Sequence, residues 1–288
     1  MRSTWFRTLV AAAAVSFSAV ACSSSSTPTA SQSGCTPAAQ VTTKEPGKLI
    51  IGSDIPYPPF EYNKGSTLTG FDVELMNGIA RALCLTPQWQ DSHFGPIFTS
   101  LAANKFDVVA ASVTAYAPKG SPAYKVTQQR AQLVNFSKPY YSSLQSLTVN
   151  TEKTPDIQSV DDLKPGDKVG VQSGTTGEFW AESELPSGVQ TVGFDKAPDM
   201  FNALQAGGVV GVVNDLPASI GIIKNQPGLK VVQQIETGEQ YAFCTNKTNS
   251  SLLAGINKEL DTMFGDGTYA QIFKKYFPDQ EMPSYASP

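Results

Sequence analysis

An apolar run that ends against three prolines is the feature that most constrains the fold of this chain. Residues 48–53 form a short apolar segment ending in Gly-Ser, which predicts a buried parallel strand. Pro56, Pro58 and Pro59 follow, and because proline cannot donate to a sheet ladder, the chain must leave the sheet in a rigid, extended loop. Residues 71–84 then carry apolar side chains at helical spacing. The loop therefore lies at the carboxyl end of a strand, where open α/β sheets bind ligands.

Strands and helices are predicted to alternate along the rest of the chain. This alternation is typical of βαβ units with parallel strands, so the fold class is α/β. Taken alone, it suggests two α/β units in series. The predicted strands are 48–53, 87–91, 106–111, 144–149, 168–172, 189–193, 209–213, 229–233 and 240–245, and the predicted helices are 71–84, 95–104, 159–163, 175–183, 198–206, 215–225, 249–264 and 267–277.

The amino terminus has the three parts of a secretory signal peptide, which we place at 1–21. Arg2 and Arg7 form its positive region, an apolar region follows, and Ala-Val-Ala precedes Cys22. Small residues before a cysteine favour cleavage and lipidation at Cys22 over plain secretion. Residues 22–45 are rich in Ser, Thr, Pro and Ala at their start, a composition that cannot bury a core and predicts a flexible tether to the lipid anchor.

The composition excludes several classes of function. Removing Arg2 and Arg7 from the 21 basic residues leaves 19 against 25 acidic ones, a net charge of about −6. Without clustered Lys or Arg, nucleic acid is not an expected partner. His93 is the only histidine and no cysteine pair has metal-ligand spacing, so we expect no metal and no cofactor.

Three cysteines remain if Cys22 carries lipid: Cys35, Cys84 and Cys244. An exported protein with three cysteines is expected to form one disulfide and leave one thiol. We favour the pair Cys35–Cys84, because Cys35 lies at the edge of the tether and Cys84 ends the first helix. The sequence leaves the other pairings open.

The proline-rich region reads GSDIPYPPFE from Gly52, followed by GFDVEL from Gly70. This stretch resembles the start of the polar amino-acid-binding proteins of ABC importers, the extracellular solute-binding family 3, and the likeness continues along nearly the whole mature chain. The resemblance implies a periplasmic-binding-protein-like fold of two α/β lobes, with the ligand in the cleft between them. Lobe 1 would comprise 46–142 plus 240–288 and lobe 2 would comprise 143–239, joined by a two-crossing hinge.

The function implied by the resemblance is that of a receptor. A monomeric lipoprotein on the outer face of the cell membrane would capture a polar amino acid and deliver it to an ABC transporter permease. Two alternatives stay open. One is a receptor for an amino-acid-like solute such as an opine, and the other is a lyase or dehydratase on the same fold. For catalysis, Glu61, His93 and Glu178 are the only acid or base candidates near the cleft, and none has a partner at a familiar spacing.

Three residues are expected to hold the ligand carboxylate. The Thr127–Arg130 stretch matches the Thr-x-x-Arg element of the family, with Thr127 as a helix cap and Arg130 one turn later. A guanidinium fork fits a carboxylate with two parallel hydrogen bonds. Thr175 and Thr176, in the Gly-Thr-Thr element at a predicted helix start, would add donors from lobe 2.

The resemblance implies that Asp215 holds the ligand ammonium group. Because Asp215 follows a predicted strand and precedes a predicted helix, a helix-cap role is expected as well. Ser112 and Thr114 match family positions that offer a carbonyl and a hydroxyl to the same group. Asp54 is the other acid expected to face the cleft, where it suits either a cationic side chain or an amide.

The side chain of the ligand is expected to lie against Tyr57, Phe60 and Phe94. Phe94 stands where the family often places an aromatic lid. One departure from the family is the segment 115–126 before the Thr-x-x-Arg element, whose Pro, Gly and Ser predict an inserted loop. No second cationic residue stands out for an acidic ligand, except Lys119 and Lys125 in that segment.

Overall fold

Two mixed β-sheets, each covered by helices, form the framework of the protein. The computed structural model describes residues 34–286, so the predicted signal peptide, Cys22 and the start of the predicted tether lie outside it. The strands are β1 (Lys48–Ser53), β2 (Tyr62–Lys64), β3 (Thr67–Thr69), β4 (Thr86–Asp91), β5 (Val108–Val109), β6 (Thr114–Tyr116), β7 (Val134–Phe136), β8 (Tyr141–Asn150), β9 (Lys168–Gln172), β10 (Gln190–Phe194), β11 (Gly211–Asp215), β12 (Leu229–Tyr241) and β13 (Cys244–Asn246). The helices are α1 (Phe71–Ala82), α2 (Phe94–Ala102), α3 (Pro122–Leu133), α4 (Thr176–Glu184), α5 (Ala197–Ala206), α6 (Leu216–Ile223), α7 (Ser250–Asp266) and α8 (Thr268–Tyr276).

The first sheet has the strand order β4-β1-β5-β13-β7. Strand β1 is buried from Leu49 to Ser53 and pairs in parallel with β4 and β5, as its apolar sequence predicts. The proline-rich loop therefore starts at the carboxyl end of a central strand. Strand β13 pairs antiparallel with β5 and β7, so a segment close to the carboxyl terminus completes the sheet that the amino-terminal strand begins.

The second sheet has the order β10-β9-β11-β8-β12-β6. Strand β9 pairs in parallel with β10 and β11, whereas β8 pairs antiparallel with β11 and β12. The carboxyl ends of β9 and β11 carry Gln172 and Asp215. Strand β6, which the chain reaches before it enters this half, pairs with the end of β12.

Two long strands connect the halves and confirm the expected two-lobe architecture. The chain enters the second sheet through β8 and returns through β12, and these strands pair at Tyr141 and Tyr241. After β12 the chain rejoins the first sheet, and α7 and α8 pack on α1. The expectation of two α/β units in series is therefore wrong, because the first lobe is built from both ends of the chain.

A cluster of aromatic side chains fixes the base of this connection. The Phe60 ring packs 5.1 Å from the Tyr141 ring and 5.5 Å from the Tyr241 ring, measured between centroids. Tyr140 stacks on Phe243 at 4.3 Å. Each such pair contributes roughly 0.5–1.5 kcal/mol beyond the area that it buries. The cluster holds the two hinge strands against lobe 1, and its members are Phe60, Phe71, Tyr140, Tyr141, Tyr241, Phe243, Tyr269, Phe273 and Phe277.

The predicted loop 115–126 is wrong at both ends, and only residues 117–121 form a loop. Its first residues belong to β6, and helix α3 begins at Pro122. Ser121 caps this helix, since its hydroxyl accepts a hydrogen bond from the Tyr124 N–H at 3.2 Å. Thr127 is therefore inside the helix and does not cap it; its hydroxyl donates to the Tyr124 carbonyl. Serine followed by proline is a common helix start, so a local signal for α3 was present.

Other differences concern the ends of elements. The chain after the prolines forms a tight turn, in which the Tyr57 and Glu61 backbones exchange hydrogen bonds, and then the hairpin of β2 and β3. The predicted strands 229–233 and 240–245 are the long β12 and the short β13. The predicted strand 106–111 is paired in the sheet only at Val108 and Val109, and the chain then continues to β6 of the second sheet.

The amino-terminal segment packs on lobe 1 from residue 35 onward, within the part predicted to be a tether. The expected disulfide between Cys35 and Cys84 is present, with Cα atoms 5.9 Å apart, while Cys244 is free and buried. The Ala38 N–H donates to the carbonyl of Ala82. In the described range, 34–286, no helix is long and apolar enough to cross a bilayer.

Removing the disulfide should destabilise lobe 1. The cross-link spans 49 residues, and loop-closure entropy predicts that Cys35→Ser with Cys84→Ser lowers the free energy of unfolding by about 2–4 kcal/mol. Urea unfolding followed by circular dichroism measures this change. Reductant should produce the same loss in the unsubstituted protein and none in the variant. Equal unfolding curves for the two proteins would contradict the stabilising role.

Candidate ligand-binding site

A cavity with about 310 Å³ of empty space lies between the two lobes. The residues that line it come from the carboxyl ends of strands, the starts of helices and helix α3: Asp54, Tyr57, Glu61, Phe94, Ala111, Ser112, Thr114, Arg130, Gln172, Thr175, Thr176 and Asp215.

Nine of the ten residues expected to contact a ligand line this cavity. They are Asp54, Tyr57, Phe94, Ser112, Thr114, Arg130, Thr175, Thr176 and Asp215. Phe60 does not belong to the wall, which corrects that expectation. The tight turn after the prolines directs its ring into the aromatic cluster of lobe 1, where it is fully buried.

Arg130 provides a buried cation. Its side chain leaves helix α3, and the residue is only 4% exposed. Nη1 donates to the Thr114 carbonyl at 2.8 Å and Nη2 to the Gly174 carbonyl at 3.0 Å, while the guanidinium lies over the rings of Phe94 and Phe98. Burial lowers the pKa of Arg130 to about 10, so the group stays charged at neutral pH. Because a guanidinium has five N–H donors, three remain for an anionic ligand group.

The start of helix α4 adds backbone donors. The Thr175 side chain is occupied within the helix cap, since it donates to the Gln172 carbonyl at 2.7 Å and accepts from the Glu178 N–H at 3.2 Å. Thr176 is the first helical residue, and an N–H in the first turn has no partner inside the helix. The positive end of the helix dipole therefore favours an anion at this wall of the cavity.

Glu239 of β12 sets the direction of two hydroxyl groups. Thr114 Oγ1 and Thr176 Oγ1 both donate to Glu239 Oε2 at 2.6 Å. Because each hydroxyl has one hydrogen, the oxygens present only lone pairs to the cavity. Thr176 can thus offer a carboxylate its N–H but not its hydroxyl, whereas Thr114 suits a donor such as an ammonium.

Asp215 is the last residue of β11. Its carboxylate accepts from the Tyr57 hydroxyl at 2.7 Å and from Gln145 Nε2 at 2.5 Å, and it makes no cap bond to helix α6. The cap role expected from the sequence is therefore wrong. Burial and then the negative charge of Glu239 raise the pKa of Asp215 to about 7. A ligand cation beside this pair would favour the ionised form.

Ser112 has an unusual backbone conformation, with φ of +50°. Left-handed backbone is uncommon outside glycine, and here Asp72 holds it by accepting the Ser112 N–H at 3.0 Å. Asp72 also accepts the Tyr140 hydroxyl at 2.6 Å. The Ser112 Oγ atom is buried with no hydrogen-bond partner in the described residues, so it is available to a group inside the cavity.

Asp54 is bound by two side chains of lobe 2, Lys196 and Gln172. The Lys196 ammonium lies 2.5 Å from Asp54 Oδ1 and 2.7 Å from Asp91 Oδ1, and it donates to the Ile55 carbonyl at 3.0 Å. Gln172 Nε2 donates to Asp54 Oδ2 at 2.5 Å. Burial raises the pKa of Asp54 against the opposing effect of Lys196. Lys196 therefore ties two carboxylates of lobe 1 to the connection between β10 and α5.

The backbones of the two lobes also approach each other closely at glycine residues, which have no side chain. A Cβ atom on Gly174 would lie 3.0 Å from the Cα atom of Gly95, across the cleft. A Cβ atom on Gly221 of α6 would lie 2.5 Å from the Pro58 carbonyl oxygen. Together with the Lys196 contacts, these close approaches show that the lobes are closed around the cavity.

Glu61 is fully buried and lines the cavity. Neither of its carboxylate oxygens has a hydrogen-bond partner among residues 34–286. Burial, followed by the negative charge of Asp72, raises its pKa well above the usual range. Glu61 is thus the acid at this site that the protein itself leaves unsatisfied.

The remaining candidates from the sequence lie away from the cavity wall. His93, Lys119 and Lys125 are exposed. Glu178 binds the Gly174 N–H at 2.7 Å. In the described part of the chain none of the four lines the cavity, and no cluster of His, Cys, Asp or Glu could hold a metal ion.

Sequence reasoning missed several polar residues around the site. Gln172 ends β9 directly before the Gly-Thr-Thr element and Asp72 lies in the GFDVEL stretch, so local signals existed for both. Gln145, Lys196 and Glu239 had no local signal. The register of β8 and β12 brings Gln145 and Glu239 together, and closure of the lobes brings Lys196 to Asp54.

A family model covers most of the chain. The model of the bacterial extracellular solute-binding proteins, family 3, matches residues 49–279.

Relatives match over most of their length. The probable histidine-binding protein of Neisseria gonorrhoeae is 30% identical over 239 residues, which cover 81% of this chain and 84% of that protein. The arginine-binding extracellular protein ArtP of Bacillus subtilis (strain 168) is 28% identical over 277 residues, which cover 95% of this chain and 98% of that protein.

Solved structures are similar over the same region. An ancestral arginine-binding protein bound to arginine has a TM-score of 0.71 with 34% identity, covering 80% of this chain and 98% of that one. The ancestral amino acid-binding protein AncCDT-1, a precursor of cyclohexadienyl dehydratase, has a TM-score of 0.71 with 30% identity, covering 80% and 96%.

Replacing Lys196 with Met should open the cleft. The variant removes an ammonium that binds two carboxylates and a backbone carbonyl of the opposite lobe. Small-angle X-ray scattering of the ligand-free protein should give a larger radius of gyration for the variant. Lys153→Met is the matched control, because Lys153 donates to the Gln205 carbonyl within lobe 2. Equal radii for all three proteins would show that Lys196 does not maintain closure.

Proposed function

The chain belongs to the bacterial extracellular solute-binding proteins of family 3, and from this membership we propose that it captures an amino acid between its lobes and delivers it to the membrane permease of an ABC transporter. The observation that carries the proposal is the pairing of a buried cation, Arg130, with a buried carboxyl group, Asp215, on the wall of the cavity between the lobes. A free amino acid carries the complementary ammonium and carboxylate groups. The histidine-binding and arginine-binding relatives support this choice of ligand class.

The ligand carboxylate is assigned to Arg130 and the start of helix α4. The free N–H groups of the guanidinium and the N–H of Thr176 come from opposite lobes, so one carboxylate would join both. Thr175 shapes this wall by capping the helix. Hydrogen bonds to charged groups contribute roughly 1.5–3 kcal/mol each. Two or three of them, less the costs of ordering and desolvation, are enough for micromolar binding at about −8 kcal/mol.

The ligand ammonium is assigned to Asp215, Thr114 and Ser112. Asp215 supplies the negative charge, the Thr114 hydroxyl supplies a lone pair because it donates its hydrogen bond to Glu239, and Ser112 supplies its carbonyl or its unpartnered hydroxyl. Two or three acceptors around one ammonium match its three N–H donors.

The ligand side chain is assigned to the part of the cavity lined by Tyr57, Phe94, Asp54 and Glu61. Phe94 and Tyr57 supply aromatic walls, and the Tyr57 hydroxyl is fixed by Asp215. Asp54 already has Lys196 and Gln172 as partners, so we assign it to closure of the lobes more than to direct contact with the ligand.

We propose a binding protein and not an enzyme. A lyase or dehydratase needs an acid or base beside the leaving group. His93 and Glu178 lie off the cavity wall, and Glu61 has no partner that would make it one half of an acid–base pair. The similarity to the precursor of a dehydratase concerns an ancestor that is itself an amino acid-binding protein.

The cellular setting is part of the proposal. Cleavage before Cys22 and lipidation of that residue would hold a monomer at the outer face of the membrane. Lobe 1 (46–142 plus 240–288) and lobe 2 (143–239) would then open and close about the β8–β12 hinge. An opine-like solute, which also carries a carboxylate and an amino group, is the alternative cargo.

Thermal unfolding in the presence of each standard amino acid tests the function. The soluble protein should begin at Gly34, so that Cys35 keeps its disulfide. A ligand at a thousandfold excess over its Kd stabilises the folded state by about 4 kcal/mol, which gives a clear rise in Tm. A few opines should be included in the same screen. If no amino acid raises the Tm, the proposed function is wrong.

Arg130→Lys should weaken binding of the amino acid that gives the largest Tm shift by at least tenfold, about 1.4 kcal/mol. Lysine keeps the charge but cannot form the guanidinium fork. Isothermal titration calorimetry measures the affinity, and circular dichroism verifies the fold. Arg81→Lys, at an exposed arginine of helix α1, is the matched control. Unchanged affinity in a folded Arg130→Lys protein would remove Arg130 from the carboxylate site.

A further inference from the structure

The unsatisfied carboxyl group of Glu61 is the feature that the proposed function does not yet use. A buried polar group without a hydrogen bond costs roughly 1–3 kcal/mol, and more if it is charged. Both Glu61 oxygens lack a partner in the described residues, although the tight turn after the prolines holds the backbone firmly. The side chain lines the cavity, so a ligand would supply the missing partner.

The groups around Glu61 cannot satisfy it, because each is already engaged. Asp54 pairs with Lys196, Asp72 accepts from Tyr140, and Asp215 accepts from Tyr57. The charged and titratable groups that act on Glu61 or are acted on by it are Asp72, Asp54, Lys196, Asp215, Tyr57 and Tyr140.

Burial favours the neutral form of Glu61 while the cavity holds no cation. Desolvation is the main cause that raises its pKa, and the carboxylates of Asp72, Asp54 and Asp215 add to it, while Lys196 opposes them. A protonated carboxyl can occupy such a site without a counter-ion. A cation placed beside it would reverse the balance and favour the ionised form.

The balance of charges at the site favours one additional cation. Arg130 and Lys196 are the cationic side chains at the site, against the buried carboxyl groups of Asp54, Glu61, Asp72, Asp215 and Glu239. The ammonium and carboxylate of an amino acid pair with Asp215 and Arg130 and add no net charge. Only a cationic ligand side chain would give Glu61 an ion-pair partner.

We propose that Glu61 selects amino acids with a cationic side chain, and that it releases its proton to solvent when that side chain enters the cavity. The inference rests on the proposed function, because it assigns the ligand side chain at the same site. In this step the O–H bond of the Glu61 carboxyl breaks, the proton leaves to the buffer, and the carboxylate pairs with the ligand guanidinium or ammonium. Binding of such a ligand therefore tightens as pH rises, until Glu61 is ionised in the free protein too.

A neutral polar side chain on the ligand would interact with Glu61 in a different way. An amide could accept a hydrogen bond from the protonated carboxyl, with no proton released by Glu61. Asp215 can release a proton for any amino acid, because its pKa is raised to about 7 and the ligand ammonium lowers it. The contribution of Glu61 is thus the difference between the number of protons released by a cationic ligand and the number released by a neutral one.

Calorimetry in two buffers of different ionisation enthalpy measures this difference. L-arginine, L-lysine and L-glutamine should be titrated at pH 7 in phosphate and in Tris. We expect arginine or lysine to bind most tightly and to release up to one proton more than glutamine does. Glu61→Gln should remove that extra proton and weaken binding of the cationic ligand at least tenfold, with a smaller effect on glutamine.

Two further variants make the test decisive. Glu61→Asp keeps the carboxyl group, so it should retain proton release even if its affinity falls. Glu236→Gln changes an exposed acid of β12 and should behave like the unsubstituted protein. Equal proton release by arginine in Glu61→Gln and in the unsubstituted protein would overturn the inference. Tight binding of glutamine without binding of arginine or lysine would overturn it as well, and in both cases the amino acid-binding function would stand. Absence of binding by every amino acid would instead refute the function itself.

Discussion

The antiparallel pairing of β8 with β12 is the constraint on which the rest of the structure depends. These strands are the connection between the lobes, and their register places Gln145 and Glu239 beside Asp215, which lines the cavity. The aromatic cluster of lobe 1 packs against the lobe 1 end of the pair, at Tyr141 and Tyr241. Because fully buried rings leave little freedom for rearrangement, the lobes are free to move mainly beyond this anchored point.

The region around the cavity buries more acidic than basic side chains, and most of these carboxyl groups have hydrogen-bond partners of their own. Glu239 accepts hydrogen bonds from two threonine hydroxyls, and Asp215 accepts them from Tyr57 and Gln145. Buried charges are tolerated when they are paired or hydrogen-bonded and are costly otherwise. Glu61 is the exception, and an unsatisfied group on a cavity wall is better explained by a ligand than by the stability of the fold.

Closure of the lobes and occupation of the site are linked through shared residues. Arg130 joins the Thr114 carbonyl to the Gly174 carbonyl of the other lobe, so the group assigned to the ligand carboxylate also holds the cleft shut. Lys196 likewise links lobe 2 to Asp54 of lobe 1, at the part of the cavity assigned to the ligand side chain. A ligand that binds the closed form more tightly than the open form would shift the equilibrium toward the closed form, to an extent set by that difference in affinity.

The sequence by itself determined the strand-to-loop junctions of this protein. Apolar runs followed by Pro, Gly or Asp predict where strands end, and the carboxyl ends of parallel strands bring Asp54, Gln172 and Asp215 near each other. Only the tertiary structure decided the discontinuous lobe, the inward turn of Phe60 and the roles of Gln145, Lys196 and Glu239. The physical reason is that local patterns report which face of an element is buried, whereas strand register and lobe closure arise from contacts between residues about 100 positions apart, such as Gln145 and Glu239.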